Sequence, residues 1–125
     1  LNAGPVVMEA AKAVLGVIDR EGLVERSRVE GEYLKRKIEA LRERHPLIGD
    51  VRGLGLMVGI ELVADARKTP TREKRDRLIA EAFGRGLLLL AAGESSVRLA
   101  PPLVITRGQI DTGLSIIEDC LKLLG

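Results

Sequence analysis

Hydrophobic positions recur along the chain in two periods, and the change from one to the other marks out its elements. Pro5 suits the first turn of a helix, and Val7, Ala11, Val14, Leu15 and Ile18 follow at helical spacing. Asp19-Arg20-Glu21-Gly22 interrupts that pattern. A second helix is expected from Leu23, with Leu23, Ser27, Gly31, Leu34, Ile38 and Leu41 along one side. Charged residues such as Glu25, Arg28, Glu32, Arg36 and Glu39 cover its other faces, as on any solvated amphipathic helix. His45-Pro46 ends it, because the residue before a proline avoids helical geometry.

From Val51 the period becomes two. Leu54, Leu56, Val58, Ile60 and Leu62 are expected on one face of a strand, with Gly55, Met57, Gly59 and Glu61 on the other. Glycines weaken a strand unless a bulge, a tightly packed helix, a backbone or a ligand needs the room. Thr69-Pro70 is read as the opening of a third helix that carries Leu78, Ile79, Ala82 and Phe83 inward, with Gly84 and Gly86 at its C-cap. Leu87–Ala91 reads as a buried strand, Ala92-Gly93-Glu94-Ser95 as a turn and Ser96–Leu99 as the returning strand, halted by Pro101-Pro102. The last helix has the fullest local signature. Thr106 and Gln109 stand as a capping box, Ile105 and Ile110 as a hydrophobic staple, and Ile110, Leu114, Ile117, Leu121 and Leu124 as its stripe.

With a further short strand near Ile48–Arg52, the order gives an α+β fold, a small and mostly antiparallel sheet with helices packed against it. The 125 residues suit a single domain, 1–125. Hydrophobic residues make up 46% of it, enough for a core, but Tyr33 and Phe83 are the only aromatics, so that core must be aliphatic. The same shortage removes the stacking platforms that hold single-stranded nucleic acid. A net charge of +2, with basic and acidic residues interleaved, argues against a phosphate-tracking surface. No run of 18 apolar residues suggests a membrane span and no signal peptide opens the chain, so a cytoplasmic protein is expected.

Candidate chemistry is sparse. Cys120 is the only cysteine and lies in an apolar helical stretch, where it is expected as a small buried hydrophobe. His45 is the only histidine, without an acid or cysteine near it in sequence, and is expected to be structural and exposed; no metal site follows from it. Gly53-Leu54-Gly55 enters a strand and Gly84-Arg85-Gly86 follows a helix, so neither cradles a phosphate. Glu61 and Asp65 stand around a strand end, where solvation accounts for them. Arg98 is different. It sits mid-strand in a run from Leu87 to Ile105 in which Glu94 is the only other charge. Its guanidinium either pairs with a structural acid or presents its fork to an anionic ligand at a domain edge; the residues alone leave both open.

Taken together, the motifs carry a resemblance. Val51-Arg52-Gly53-Leu54-Gly55-Leu56-Met57-Val58-Gly59-Ile60-Glu61-Leu62 resembles the VRGxGLMxGIEL strand of class-III aminotransferases. Arg85-Gly86-Leu87-Leu88-Leu89-Leu90 resembles their RGLLxL strand, and Val97-Arg98-Leu99-Ala100-Pro101-Pro102-Leu103-Val104-Ile105-Thr106 their IRxxPPLVIT signature. The opening from Gly4-Pro5 to Val14-Leu15 and the approach His45-Pro46-Leu47-Ile48 are similar to family segments in the same order.

The resemblance implies the C-terminal small domain of a pyridoxal-phosphate (PLP) enzyme. Residues 1–20 would be the helix linking it to a large catalytic domain, and 21–125 the small-domain body. It implies a homodimer, a small amino-acid substrate, and transfer of an amino group from an ω-amino acid of the 4-aminobutyrate, ornithine or acetylornithine class to a 2-oxo acid. Gly93-Glu94-Ser95-Ser96 is more similar to the 4-aminobutyrate type. Arg98 would match the family's arginine for the substrate carboxylate or a large-domain glutamate. The Schiff-base lysine, the aspartate on the pyridine nitrogen and the phosphate cup belong to regions before this one. The chain alone is therefore expected to bind no PLP, to contribute no catalytic residue and to be inactive. Position 4 is glycine where the family usually has asparagine. The alternative from the residues is a stand-alone α+β module, which binds a ligand through Arg98, dimerises, or docks a partner on a bare Gly55/Gly59 face.

Overall fold

The computed structural model describes residues 20–102 and 105–125, and the expected helix of Pro5–Ile18 lies outside them. Helix α1 (Arg20–Arg44) runs through Glu21-Gly22, which the sequence pattern reads as a break. Its expected stripe is the buried one, with Gly31, Leu34, Ile38 and Leu41 all inside. Strands β1 (Ile48–Leu54) and β2 (Met57–Leu62) follow, then α2 (Arg72–Gly84), β3 (Leu90–Ala92), β4 (Ser96–Leu99) and α3 (Arg107–Leu124). The four strands make one antiparallel sheet in the order β1-β2-β4-β3. An α+β layer of this kind is what the pattern predicts.

The single strand expected from Val51 is instead a hairpin. Leu54 pairs with Met57 across a tight turn, and Gly55 takes a φ of +56° at its first central position, where such turns favour glycine. Val58, Ile60 and Leu62 face the core as expected, but Leu54 lies before the turn and is 89% exposed. Helix α1 lies along this hairpin. A Cβ on Gly31 would come within 2.0 Å of the Gly55 carbonyl oxygen, so the helix and the turn meet backbone to backbone. The Leu56 amide donates to Ser27 Oγ at 3.3 Å, Lys35 Nζ to the Gly53 carbonyl at 3.3 Å and Arg42 Nη2 to the Gly49 carbonyl at 2.8 Å. The two strand glycines therefore do different work: Gly55 makes a turn beneath a helix, and Gly59 does not.

Helix α2 opens two residues later than expected, with Thr71 as N-cap accepting from the Lys74 amide; the Thr69 hydroxyl is tied to Asp65 at 2.9 Å. The helix closes in a Schellman motif. The Gly86 amide donates to the Phe83 carbonyl and that of Leu87 to the Ala82 carbonyl, with Gly86 at φ +90°. Leu78 and Ala82 face inward, whereas Phe83 is 69% exposed and Arg75 takes the inward position one turn before Leu78. Leu87–Ala91 is not one buried strand: only Leu89 is fully inside, and the ladder begins at Leu90. The capping box of α3 is fully formed, and its predicted stripe is buried, with Cys120 inside as well.

Candidate functional site

Antiparallel partners stand on the same face of a sheet, so the register decides which side chains meet. Val51, Ile60 and Val97 form one row, turned toward the helices. The next row is Arg52, Gly59, Arg98 and Leu90, on the face that no described helix covers. Beside it stand Asp50, Glu61, Ser96 and Ala92. Two arginines thus flank a residue without a side chain, with Cα atoms about 10 Å apart at two strand spacings. Arg52, Gly59, Glu61, Ala92, Gly93, Ser96 and Arg98 line a shallow cleft of about 260 Å³ over this spot.

The two arginines differ in what they touch. Arg52 Nε lies 3.2 Å from Asp50 Oδ2 and its Nη2 3.6 Å from Glu61 Oε2. Arg98 is exposed and makes no hydrogen bond or ion pair with any described residue. The sequence places it inside an apolar run. The alternation of β4 turns Val97 and Leu99 inward and Arg98 out, so its five donors point away from the core.

Gly59 forms the floor between them. A Cβ there would meet only the Arg52 and Val97 carbonyl oxygens, at 3.7 and 3.9 Å, and the ladder runs through it without a bulge. Neither tight packing nor backbone strain calls for glycine at this position. What glycine leaves is open space on the arginine face.

The hairpin that carries Arg98 is held from beneath by a residue that the sequence reading missed. Arg75, on α2, is 5% exposed. Its Nη1 donates to the carbonyls of Ala92, Gly93 and Ser96 at 3.2, 3.3 and 2.9 Å, and its Nε to Asp76 Oδ1 at 2.8 Å. Three carbonyls of one turn thus converge on one guanidinium. The only sequence signal was spacing: position 75 is one turn before Leu78 on the helix face that also carries Ala82.

The remaining sequence candidates fall elsewhere. His45 is structural but not exposed: its Nε2 lies 2.8 Å from Glu118 Oε2, with only 13% of its side chain accessible. That hydrogen bond, and then Arg44, hold the Glu118 carboxyl below its ordinary value. Asp65 does not act with Glu61. It accepts from the Thr69 hydroxyl and from the Thr69 and Arg67 amides, which lower its pKa and close the loop before α2. Burial pushes the Cys120 thiol up, away from the reactive thiolate. Among the described residues no cluster of His, Cys, Asp and Glu could hold a metal ion, and no helix is long and apolar enough to cross a membrane.

An arginine-lined cleft thus lies on the open sheet face of a small α+β domain. The chain belongs to the class-III aminotransferase family, whose family model, "Aminotransferase class-III", matches residues 1–121. It is 42% identical over 116 residues to the isoleucine 2-epimerase of Lentilactobacillus buchneri, covering 92% of this chain and 26% of that protein. It is 40% identical over 119 residues to the 4-aminobutyrate aminotransferase GabT of Escherichia coli strain K12, covering 93% of this chain and 28% of that enzyme. Among solved structures, a phospholyase from Arthrobacter in complex with phosphoethanolamine superposes with a TM-score of 0.85 at 31% identity, over 94% of this chain and 29% of that one. The chain thus spans little more than a quarter of the length of the relatives it matches.

Proposed function

We propose that this chain is the C-terminal part of a PLP-dependent aminotransferase. The enzyme would transfer an amino group from an ω-amino acid of the 4-aminobutyrate, ornithine or acetylornithine class to a 2-oxo acid. Arg98 is the residue of this chain that receives the substrate carboxylate. The observation that carries the reading is the exposed, unpaired fork of Arg98 beside the bare floor of Gly59. A guanidinium binds a carboxylate through two parallel hydrogen bonds, and a glycine neighbour lets the ligand approach the strand.

The described residues do not fit the coenzyme itself. Lys35 is engaged by Glu32 and the Gly53 carbonyl, Lys37 lies over the Tyr33 ring, Lys68 sits in the loop before α2, and Lys122 is exposed near the end of α3. Lys74 is half-buried in the first turn of α2, and its amide donates to the Thr71 N-cap. PLP would therefore be seated in the large domain outside this chain, and the chain alone should show no transamination. Leu54, Met57 and Leu90 are exposed on the arginine face, which suits that face to cover by the large domain in a homodimeric enzyme.

The name of the epimerase relative points to a second reaction on a related substrate. Isoleucine, like 4-aminobutyrate, carries an amine and a carboxylate, so the recognition assigned to Arg98 serves either chemistry; product analysis with a 2-oxo acid acceptor present or absent separates the two. The test of Arg98 is made in the full-length enzyme. Arg98→Ala should cost roughly 2–5 kcal/mol in kcat/KM for carboxylate-bearing donors, with much less effect on a simple monoamine. Arg98→Lys keeps the charge without the fork and should rescue only part. An equal fall on acid and amine substrates with a sharply lowered Tm would make Arg98 scaffold and end the assignment.

A further inference from the structure

Resting on that reading of Arg98, we propose that Arg75 is a positioning residue for the carboxylate site: it contacts no ligand, but sets where the Arg98 guanidinium stands. The β3–β4 ladder comprises three residue pairs, Leu90–Arg98, Ala91–Val97 and Ala92–Ser96. β3 is the edge strand of the sheet, and so short a ladder fixes it and its turn only weakly. The turn between the strands contains Gly93 at φ +56°, with open space where its side chain would be, so local packing does not fix it.

Beyond the β2–β4 ladder, which pairs Ser96–Leu99 with Val58–Glu61, two further ties hold β3 and the turn. The Leu62 amide at the end of β2 donates to the Ser95 carbonyl at 2.9 Å. Arg75 takes the carbonyls of Ala92 and Gly93 on one arm and of Ser96 on the other. Its grip on Ser96 is two residues from Arg98, on the same face-alternating strand. A displacement of Ser96 is therefore passed along β4 to Arg98, against the restraint of its pairing with Gly59.

A buried guanidinium is not needed for stability as such, since well-packed apolar residues often replace buried charges without loss. What it offers here is geometry. The three carbonyls gather about Nη1 while Nε holds Asp76 Oδ1, a two-nitrogen tie between α2 and the hairpin that an apolar side chain lacks and a lysine, with one nitrogen, reproduces only in part. An anion site needs this, because the fork of Arg98 must meet a carboxylate held by the rest of the enzyme to within a fraction of an ångström.

The test compares full-length holoenzyme variants Arg75→Met, Arg75→Lys and Arg98→Ala on a carboxylate-bearing donor and on a monoamine lacking the carboxylate. Arg75→Met should lower the ratio of kcat/KM for the acid over the amine about tenfold, chiefly through KM, the scale of a buried hydrogen-bond group losing its partner. Arg75→Lys should lie between Met and wild type. If Arg75→Met fails to fold, the lysine variant carries the test, with a smaller shift of the ratio in the same direction. Should Arg98→Ala change the ratio while neither Arg75 variant does, the positioning role is overturned and the Arg98 assignment stands. If Arg98→Ala leaves the ratio unchanged, the carboxylate reading fails and this inference fails with it.

Discussion

Replacing Gly31 by alanine should destabilise the domain, although the same change in most helices does the opposite. In an exposed helix interior Gly→Ala gains about 1 kcal/mol. At Gly31 the new methyl carbon would lie 2.0 Å from the Gly55 carbonyl oxygen, 2.3 Å from its carbon and 2.9 Å from its Cα. Neither side yields easily: Gly55 is held at φ +56° in a tight turn, and Ser27 accepts the Leu56 amide next to it. Relief means moving α1 away from the β1–β2 turn and loosening Leu56 and Leu34, both almost fully buried. Overpacking of this kind costs about 1–3 kcal/mol, and re-exposing one leucine adds about 1.5–3 kcal/mol. After the helix-propensity gain is deducted, a net loss of about 1.5–5 kcal/mol remains. Gly113→Ala in α3 is the control, because its Cβ would meet only Leu87 Cδ1, at 3.7 Å; it should stabilise by about 0.5–1 kcal/mol. Amide exchange across residues 31–41 in the full-length protein reads the local opening free energy, with α3 measured for the control. Unchanged or increased protection in Gly31→Ala, or lost protection in Gly113→Ala, would refute the reasoning.

Two further outcomes follow from neighbouring features. Gly59→Val should raise thermal stability, by about 0.5–1 kcal/mol for a glycine replaced in a strand, while weakening carboxylate binding by filling the floor between Arg52 and Arg98. A melting curve and KM for an acid donor check the two signs, and a drop in Tm would show that the position is closed rather than open. Glu118 has its folded-state pKa lowered by His45 and then Arg44. Its contribution is therefore present above the ordinary carboxylate value and is lost as pH falls through the lowered one. Glu118→Gln should flatten the acid limb of a stability–pH profile below about pH 5; an unchanged limb would mean that the contact carries nothing.

The parts of the fold that depend on neighbouring residues are legible in the sequence, and those that depend on distant ones are not. The α3 capping box is complete within Thr106–Gln109, and the stripe that follows is buried position by position. The β1–β2 turn escapes because Leu54 and Leu56 continue the alternation through it; only Gly55 marks the reversal, and glycines recur on both sides. Phe83 looks like core by composition, yet five residues from Leu78 it is turned well away from that helix face. Arg75 is hidden in the charged run Arg72–Arg77, and the Glu118 partner of His45 is 73 residues away. Arg98 is visible because so few charges surround it, but that isolation reads as burial. The pairing of β4 with β2 is what turns it outward, next to Gly59 and across from Arg52.

The strand order also has a consequence for how the site comes into being. Each outer pair, β1–β2 and β3–β4, is a hairpin whose partners are a few residues apart, and such local ribbons form quickly. The seam between β2 and β4 joins residues 58–61 to 96–99, with the whole of α2 between them. Closing that longer loop is the slower, entropically costlier event. Arg52 and Gly59 belong to the first hairpin and Arg98 to the second, so neither half-assembled ribbon contains the cleft. An anion that bridges the seam binds only after it has zipped, and by mass action slows its reopening. On the proposed reading of the cleft, ligand occupancy and closure of the β2–β4 seam are then coupled, each favouring the other.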